Sequence, residues 1–333
     1  MTQDAYTKAG VSQRHADASV DALVSELSKI QTGKPSRVWP LPGHYASVLR
    51  ISDNQGIAFG TDGVGTKMVV AEELGRFDTI GIDCIAMNVN DLICVGAEPI
   101  ALVDFILCRH ATAEICGEIG KGLRSGAELS GIEIPGGEIA QVGDVVEGWE
   151  LGGSAIGLVD LDRIVSGERI EPGDALIGLP SSGLHSNGFT LARKVLAELS
   201  WDDDRLGRPL GDVVLEPTTI YVRAVLDLLA SGADVRGLAH ITGDGLNNML
   251  RLSAAVGYEL SEPLEVPPVF GLISELGEIS DEEMHEVFNM GLGFVCVVPA
   301  DDADTAVELL ASHHPDTRLI GEVTDRAGEV VHS

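Results

Sequence analysis

Lysine is scarce in this chain. Only six of its 333 residues are Lys, against sixteen Arg, and the 22 basic residues face 52 acidic ones, for a net charge of −30. A nucleic-acid partner calls for a basic footprint, so that class is excluded, and an anionic membrane surface with it. Cysteine is sparse as well. Cys84, Cys94, Cys108, Cys116 and Cys296 make no CxxC pair and no zinc spacing. An odd, scattered set of this kind reads as reduced core thiols. No apolar run reaches the roughly 18 residues of a membrane span. The opening Met1-Thr2-Gln3-Asp4 has neither the basic nor the apolar region of a secretion signal, so a cytoplasmic location is expected. The excess of carboxylates reads as a solvated coat suited to concentrated salt, where their repulsion is screened. The melting temperature should therefore rise steeply between low and molar KCl; a melt indifferent to KCl would refute this reading.

A Walker loop is also missing. That motif needs Gly-Lys in succession, and here Thr66 separates Gly65 from Lys67. What stands in its place is Gly60-Thr61-Asp62-Gly63-Val64-Gly65-Thr66-Lys67, after the apolar run Ile57-Ala58-Phe59. Glycines let a backbone approach a ligand closely. The lysine could meet phosphate and the aspartate a divalent cation. The plain alternative is an ordinary strand-to-helix connection.

The next segment changes the balance. Residues 78–95 read as a helix, with Asp78 a possible N-cap and Gly96 just beyond the end. Ile82, Ile85, Ala86, Val89, Leu92 and Ile93 fall on one side. Asp83, Met87, Asn88, Asn90, Asp91 and Cys94 fall on the other, with no Lys, Arg or Glu among them. Such a face is expected to pack against something polar, whether a ligand or another helix. Asp83 and Asp91 are roughly 12 Å apart along the axis, too far to share an ion. Asp91 lies near the helix C-terminus, where a bound cation would offset the macrodipole.

Glu138 follows Pro135-Gly136-Gly137 at a strand end, and Asp104 interrupts the apolar run 100–107. Carboxylates ~4 Å apart repel by about 4 kcal/mol at an effective dielectric of 20. If Asp62, Asp91 and Glu138 converge they need Mg²⁺ or raised pKa values, and Mg²⁺ is the expectation. Asp104 reads equally as a structural residue.

Strands predominate over simple βαβ alternation in the first half, so the fold class expected is α+β. The pattern changes near residue 163, dividing the chain into domains 1–162 and 163–333. Helices are expected at 14–30, 113–130, 188–199, 217–231, 244–255, 267–277 and 301–312. Ser280 to Glu283 is a capping box for a further short helix. Two loops in the second half share a design. The first contains Ser181, Ser182, His185, Ser186 and Asn187; the second contains His240, Thr242 and Gly243. Each joins a strand to a helix with hydroxyls, glycines and a His, which suits an anion such as a phosphate monoester.

Taken in order, these segments resemble the phosphoribosylformylglycinamidine cyclo-ligase (AIR synthetase) family. The resemblance runs from Tyr6-Thr7-Lys8-Ala9-Gly10-Val11 through Thr61–Lys67, Ala86-Met87-Asn88-Val89-Asn90-Asp91 and Gly96-Ala97-Glu98-Pro99. It continues through Ser181–Gly188, Glu216-Pro217-Thr218, His240–Gly243 and Phe288-Asn289-Met290-Gly291. Gly43-His44-Tyr45-Ala46 looks like the archaeal members. The resemblance implies an ATP- and Mg²⁺-dependent ring closure in purine biosynthesis. It also implies a homodimer whose N-terminal sheets form a shared barrel, and a C-terminal α/β sandwich-like domain that helps bind the ribonucleotide. It places Asp62, Gly63, Gly65, Thr66, Lys67, Asn90, Asp91 and Glu138 at ATP, with Asp62, Asp91 and Glu138 on the metal. Ser181, Ser182, His185, Ser186, Asn187, Thr242 and Gly243 would hold substrate. Lys67 would balance phosphate charge, and His185 or His240 would move a proton.

This chain departs from the family pattern at Ile139, where a threonine is usual, and at Asp244, where glycine is usual. A selenophosphate-forming relative needs a reactive Cys near its N-terminus, and the first here is Cys84. The alternatives are another ATP-using member of the wider superfamily or a non-catalytic ATP-binding regulator.

Overall fold

The computed structural model describes residues 13–332, so the Tyr6–Val11 match lies outside the described residues. Strands β1 (Val38–Trp39), β2 (Ser47–Arg50), β3 (Gln55–Gly63), β4 (Glu98–Cys108), β5 (Glu133–Gln141) and β6 (Trp149–Asp160) form one sheet, ordered β1-β2-β3-β6-β4-β5. Only β4 and β5 run parallel, joined through the helix Ala113–Ser130. A second sheet holds β7 (Ala175–Pro180), β8 (Gly237–His240), β9 (Gly257–Leu260), β10 (Leu292–Val298), β11 (Arg318–Thr324) and β12 (Val330–His332), ordered β12-β9-β11-β7-β10-β8. Its pairs are antiparallel except β12 on β9. The α+β expectation is met.

Several elements were not foreseen. The Pro-punctuated stretch 34–43 contains β1, and β9, β12 and the short helix Leu210–Val214 carry too little periodicity to read. The segment expected as a helix over 244–255 is a 3₁₀ stretch, Gly245–Arg251. The capping box forms as expected, with the Ser280 side chain accepting from the Glu283 amide at 3.3 Å.

The helix Ile80–Ile93 is the structural centre. Both of its sides are buried, which explains a pattern that periodicity alone left ambiguous. Its apolar side packs on the first sheet and on the helix Ala113–Ser130. That crossing is close because Gly81 and Gly122 meet: a Cβ on Gly81 would lie 2.1 Å from the Leu123 amide nitrogen. Its polar side meets the second half of the chain. Asn90 bonds the Thr219 carbonyl (2.9 Å) and the Tyr221 amide (3.1 Å). The segment 216–221 thereby straps the C-terminal half to the N-terminal one.

Among the described residues no helix covers one face of the first sheet. Phe59, Val103, Phe105 and Leu158, all on that face by register, are each 40–46 % exposed. No helix among the described residues is long and apolar enough to cross a membrane.

Candidate active site

Asp62 ends the exposed part of β3 and is held by the central helix. The Asn88 side chain accepts from the Asp62 amide (3.0 Å) and donates to its carbonyl (3.2 Å). An amide side chain thus takes the part of a neighbouring strand and fixes the direction of Asp62. One helical turn on, Asp91 comes close enough to be felt by Asp62. Crowding by protein raises the Asp62 carboxyl pKa; the Gly63 N–H opposes that, and the Asp91 charge adds to it. His240, at the end of β8, bonds Asp91 through Nδ1 at 2.9 Å, and its Nε2 lies 3.4 Å from Asn90 Nδ2. Nδ1 can only donate to a carboxylate, so Nε2 carries the lone pair that faces the Asn90 amide. The structure therefore brings together Asp62, Asn90, Asp91 and His240, residues far apart in the chain.

Glu138 is not brought there. Residues paired across strands share a face, and neighbours along a strand alternate. Asp62 pairs with Gly153, Gly153 with Asp104 and Asp104 with Gly137, whereas Glu138 pairs with Phe105. Glu138 therefore lies on the opposite face, and three strand spacings put it roughly 14 Å away. Within one chain the three-carboxylate metal set is reduced to Asp62 and Asp91. Asp104 stays on the helix-covered face, against Gly137, where burial raises its pKa.

A carboxylate at the Gly-rich loop was missed. Glu150 on β6 accepts from the Gly65 amide at 3.0 Å. Burial raises its pKa, the Gly65 N–H opposes this, and Asp62 adds to the rise. The Gly-rich loop is thus closed by a protein carboxylate, with Gly65 in the left-handed region at φ 66°. Thr66 contacts Thr190 of the C-terminal half at 3.2 Å.

Lys67 also departs from expectation. Its ammonium is fully buried and turned inward, 2.9 Å from Asp83 Oδ1 and 2.7 Å from the Glu216 carbonyl. It begins the helix Lys67–Leu74, whose packing aims the side chain at the central helix and away from Asp62. As placed, it neutralises Asp83 and not a phosphate. Asp83 Oδ1 also accepts from the Thr218 amide (2.8 Å), the Thr218 hydroxyl (2.6 Å) and the Ser186 hydroxyl (3.2 Å).

The two C-terminal loops meet each other. A Cβ on Gly243 would lie 3.2 Å from Asn187 Oδ1, so the second loop passes directly over the first. Their hydroxyls are mostly engaged within the protein. Ser181 donates to Asn289 (2.8 Å), Ser182 to the Pro217 carbonyl, and Ser186 to Asp83. As placed, these three hydroxyls brace the loops and do not face an anion. His185 is a brace too. It sits at φ 59°, buried, and its Nε2 accepts from the Ser182 amide at 3.2 Å and the Thr219 amide at 3.4 Å. Burial holds its pKa well below the ordinary value, with His240 and Lys67 adding to this, so the ring is neutral. Asn187, Thr242 and Gly243 remain at the meeting of the loops. The Thr242 amide is tied to Asn248 Oδ1 at 2.7 Å.

Arg251 was also missed. It lies on the 3₁₀ stretch, 2.7 Å from Asp244 and 5.3 Å above the Tyr45 ring. The unusual Asp244 is thereby neutralised by a partner of its own, so its charge is not left facing the loop. Arg251 reaches the metal-binding candidates electrostatically, lowering the Asp62 pKa. His44 completes this corner: burial and then Arg251 bring its pKa down to about 4. The signal for Arg251 was its spacing of seven from Asp244, two turns along; Glu150 had none, because only strand register brings it to Gly65.

Comparison with known proteins identifies the family. Residues 43–159 match the N-terminal domain of the AIR synthase related family, and residues 171–333 match its C-terminal domain. A phosphoribosylformylglycinamidine cyclo-ligase of Methanothermobacter thermautotrophicus is 47 % identical over 98 % of this chain and 96 % of its own length. One of Thermococcus gammatolerans is 47 % identical over 97 % and 96 %. Among solved structures, a ThiL complexed with AMPPCP and TMP superposes with a TM-score of 0.66 at 16 % identity, covering 94 % of this chain and 91 % of that one. The hydrogenase maturation protein HypE in complex with ATP gives 0.63 at 21 %, covering 88 % and 86 %. At such identities these two show a shared fold alone. The cyclo-ligase relatives, matched nearly end to end across both domains, show more: this chain belongs to the AIR synthase related family, in its phosphoribosylformylglycinamidine cyclo-ligase branch.

Proposed function

We propose that this protein closes the imidazole ring of aminoimidazole ribonucleotide, using ATP and formylglycinamidine ribonucleotide and releasing ADP and phosphate. The single observation that carries this is 47 % identity to cyclo-ligases over nearly the whole of both chains. The geometry is compatible with it. An amide oxygen is a poor leaving group. Transfer of the γ-phosphoryl group to that oxygen makes it a good one, and attack by the amidine nitrogen then expels phosphate and closes the ring. Asp62 and Asp91 would hold Mg²⁺, which would offset the charge of the phosphates. The fit rests on the electrostatics of Asp62: burial and the neighbouring Asp91 charge raise the cost of ionising it, and a cation would remove that cost.

His240 is assigned as a positioning residue, holding Asp91 through Nδ1 while Asn90 fixes its ring. Substrate is assigned to the meeting of the loops at Asn187, Thr242 and Gly243. The boundary between ATP and substrate domains is placed near residue 163. The uncovered apolar face of the first sheet is assigned to a second copy of the chain in a homodimer. Glu138 and Ile139 lie on the outer strand of that sheet, where a partner could place them near a site that one chain alone does not complete.

The test is ADP release from the purified full chain in molar KCl with Mg-ATP, with and without formylglycinamidine ribonucleotide, scored alongside formation of the aminoimidazole product. Substrate-dependent ADP with matching product is expected. A folded protein that binds ATP and yields no product would favour the regulator reading. Acidity supplies a second check. Because the Asp62 pKa is raised, its proton competes with Mg²⁺ at a pH above the ordinary aspartate range. Mg-ATP affinity should therefore fall, as pH is lowered, earlier than an unperturbed carboxylate would allow. Asp91→Asn, which removes the neighbouring charge, should move the fall to lower pH. Equal midpoints in titrations of the two proteins would show that Asp62 is not a ligand.

A further inference from the structure

A second set of ligand-bearing side chains lies apart from Asp62 and Asp91. The helix Asp281–Val287 places Asp281 and His285, four residues apart, on one face. The C-terminal strand β12, laid parallel on β9, brings His332 alongside them. Each of the three offers a ligand atom, and these atoms all lie within 4.8 Å of one another. Among the described residues no other group of His, Cys, Asp or Glu is gathered in this way. The two imidazole rings stack with centroids 3.8 Å apart and planes 23° from parallel.

We propose that Asp281, His285 and His332 bind a transition-metal ion of the Zn²⁺, Co²⁺ or Ni²⁺ type. Two imidazoles and a carboxylate are donors suited to such ions; Mg²⁺ prefers oxygen alone, so the site is chemically distinct from that of Mg-ATP. The ring of His285 is fixed, but the Asp281 carboxylate lies 3.5 Å from its Nδ1 and must turn toward the other ring nitrogen to share an ion. His285 Nδ1 lies 2.9 Å from the Asp281 carbonyl, which can only accept, so the lone pair is left on Nε2. A hydrogen bond of this kind from the second ring nitrogen is the usual support of a metal-bound histidine. Ligand atoms around a tetrahedral ion stand roughly 3.4 Å apart, so the set must close by about an ångström. The Asp281 side chain is 75 % exposed and free to make that move. A cavity of about 300 Å³ adjoins the cluster and leaves room for water as a further ligand.

The site also bears on the loops of the active site. A Cβ on Gly245 would lie 1.9 Å from the His285 carbonyl oxygen, so this helix and the 242–245 loop are in backbone contact. Asn289 lines the same cavity and accepts from the Ser181 hydroxyl. An ion held by His285 and His332 would tie the end of the chain to both loops.

Zn²⁺ titrated calorimetrically into the full chain, in molar KCl without Mg²⁺ or nucleotide, should show one site per chain. His285→Gln and His332→Gln should each weaken it by tenfold or more. Zn²⁺ should raise the melting temperature of the parent and of neither variant. Unchanged affinity in both variants, or no binding by the parent, would overturn the proposal. A measurement that needs no variant is the visible spectrum of the Co²⁺-loaded protein. Intense bands of a four- or five-coordinate ion are expected, and the weak spectrum of an octahedral aquo ion would refute the site.

Discussion

Asp91→Asn should lower turnover by a hundredfold or more while leaving the fold intact. The substitution is nearly isosteric. The amide oxygen can still accept from His240 Nδ1, now 2.9 Å from the Asp91 carboxylate, so the packing of the seam is preserved. What disappears is the charge that would draw a cation to Asp62. A metal clamp on a transferring phosphoryl group is worth several kcal/mol, and about 2.7 kcal/mol is already a hundredfold. The loss should appear mainly in kcat and be partly offset by excess Mg²⁺. His240→Gln, which removes a support and not a ligand, should cost less, about 10- to 100-fold. Steady-state assays of ADP release across a Mg²⁺ series would check both. Turnover of Asp91→Asn within a few-fold of the parent at equal Mg²⁺ would remove this residue from the metal site.

The contrast between Asp91 and Glu138 shows what the sequence can and cannot disclose. Asp91 was legible because helix spacing is local. Its place near the C-terminus of Ile80–Ile93, on a face without Glu or Lys, follows from counting residues. Glu138 does not reach Asp62 within one chain, because its position depends on strand order and register. The order β3-β6-β4-β5 separates it from Asp62, and its pairing with Phe105 puts it on the other face. Neither fact can be counted along the chain. Glu150 was missed for the same reason, since only strand register brings it to Gly65; Arg251 lies seven residues from Asp244, and only its reach to Asp62 depends on the fold. The two C-terminal loops were seen correctly as a pair, and their meeting at Asn187 and Gly243 is what the structure adds. Their serines are engaged within the protein as placed, and hydroxyls that brace look, in a sequence, the same as hydroxyls that bind.

Lys67 is the sharpest case, and Lys67→Met should destabilise the protein by about 3–5 kcal/mol, the cost of stranding one member of a buried ion pair. The pair is wholly inaccessible to solvent on both sides. Burial lowers the Lys67 pKa and the Asp83 charge opposes that, so each ion is tolerated because of the other. Removing the ammonium leaves Asp83 with hydrogen bonds from Thr218 and Ser186 on one oxygen and none on Oδ2. The double variant Lys67→Met with Asp83→Asn should recover part of the loss, since no charge then remains buried. The same pair joins the Gly-rich loop to the 216–221 strap through the Glu216 carbonyl, so its loss should loosen the seam on which the 181–188 loop rests. A lysine that served phosphate would behave differently: Lys67→Met would then raise the KM for ATP and leave the melting temperature almost unchanged. Denaturant midpoints and ATP saturation curves, measured together on the two variants, separate a brace from a ligand. A stable Lys67→Met protein with weakened ATP use would restore the phosphate reading.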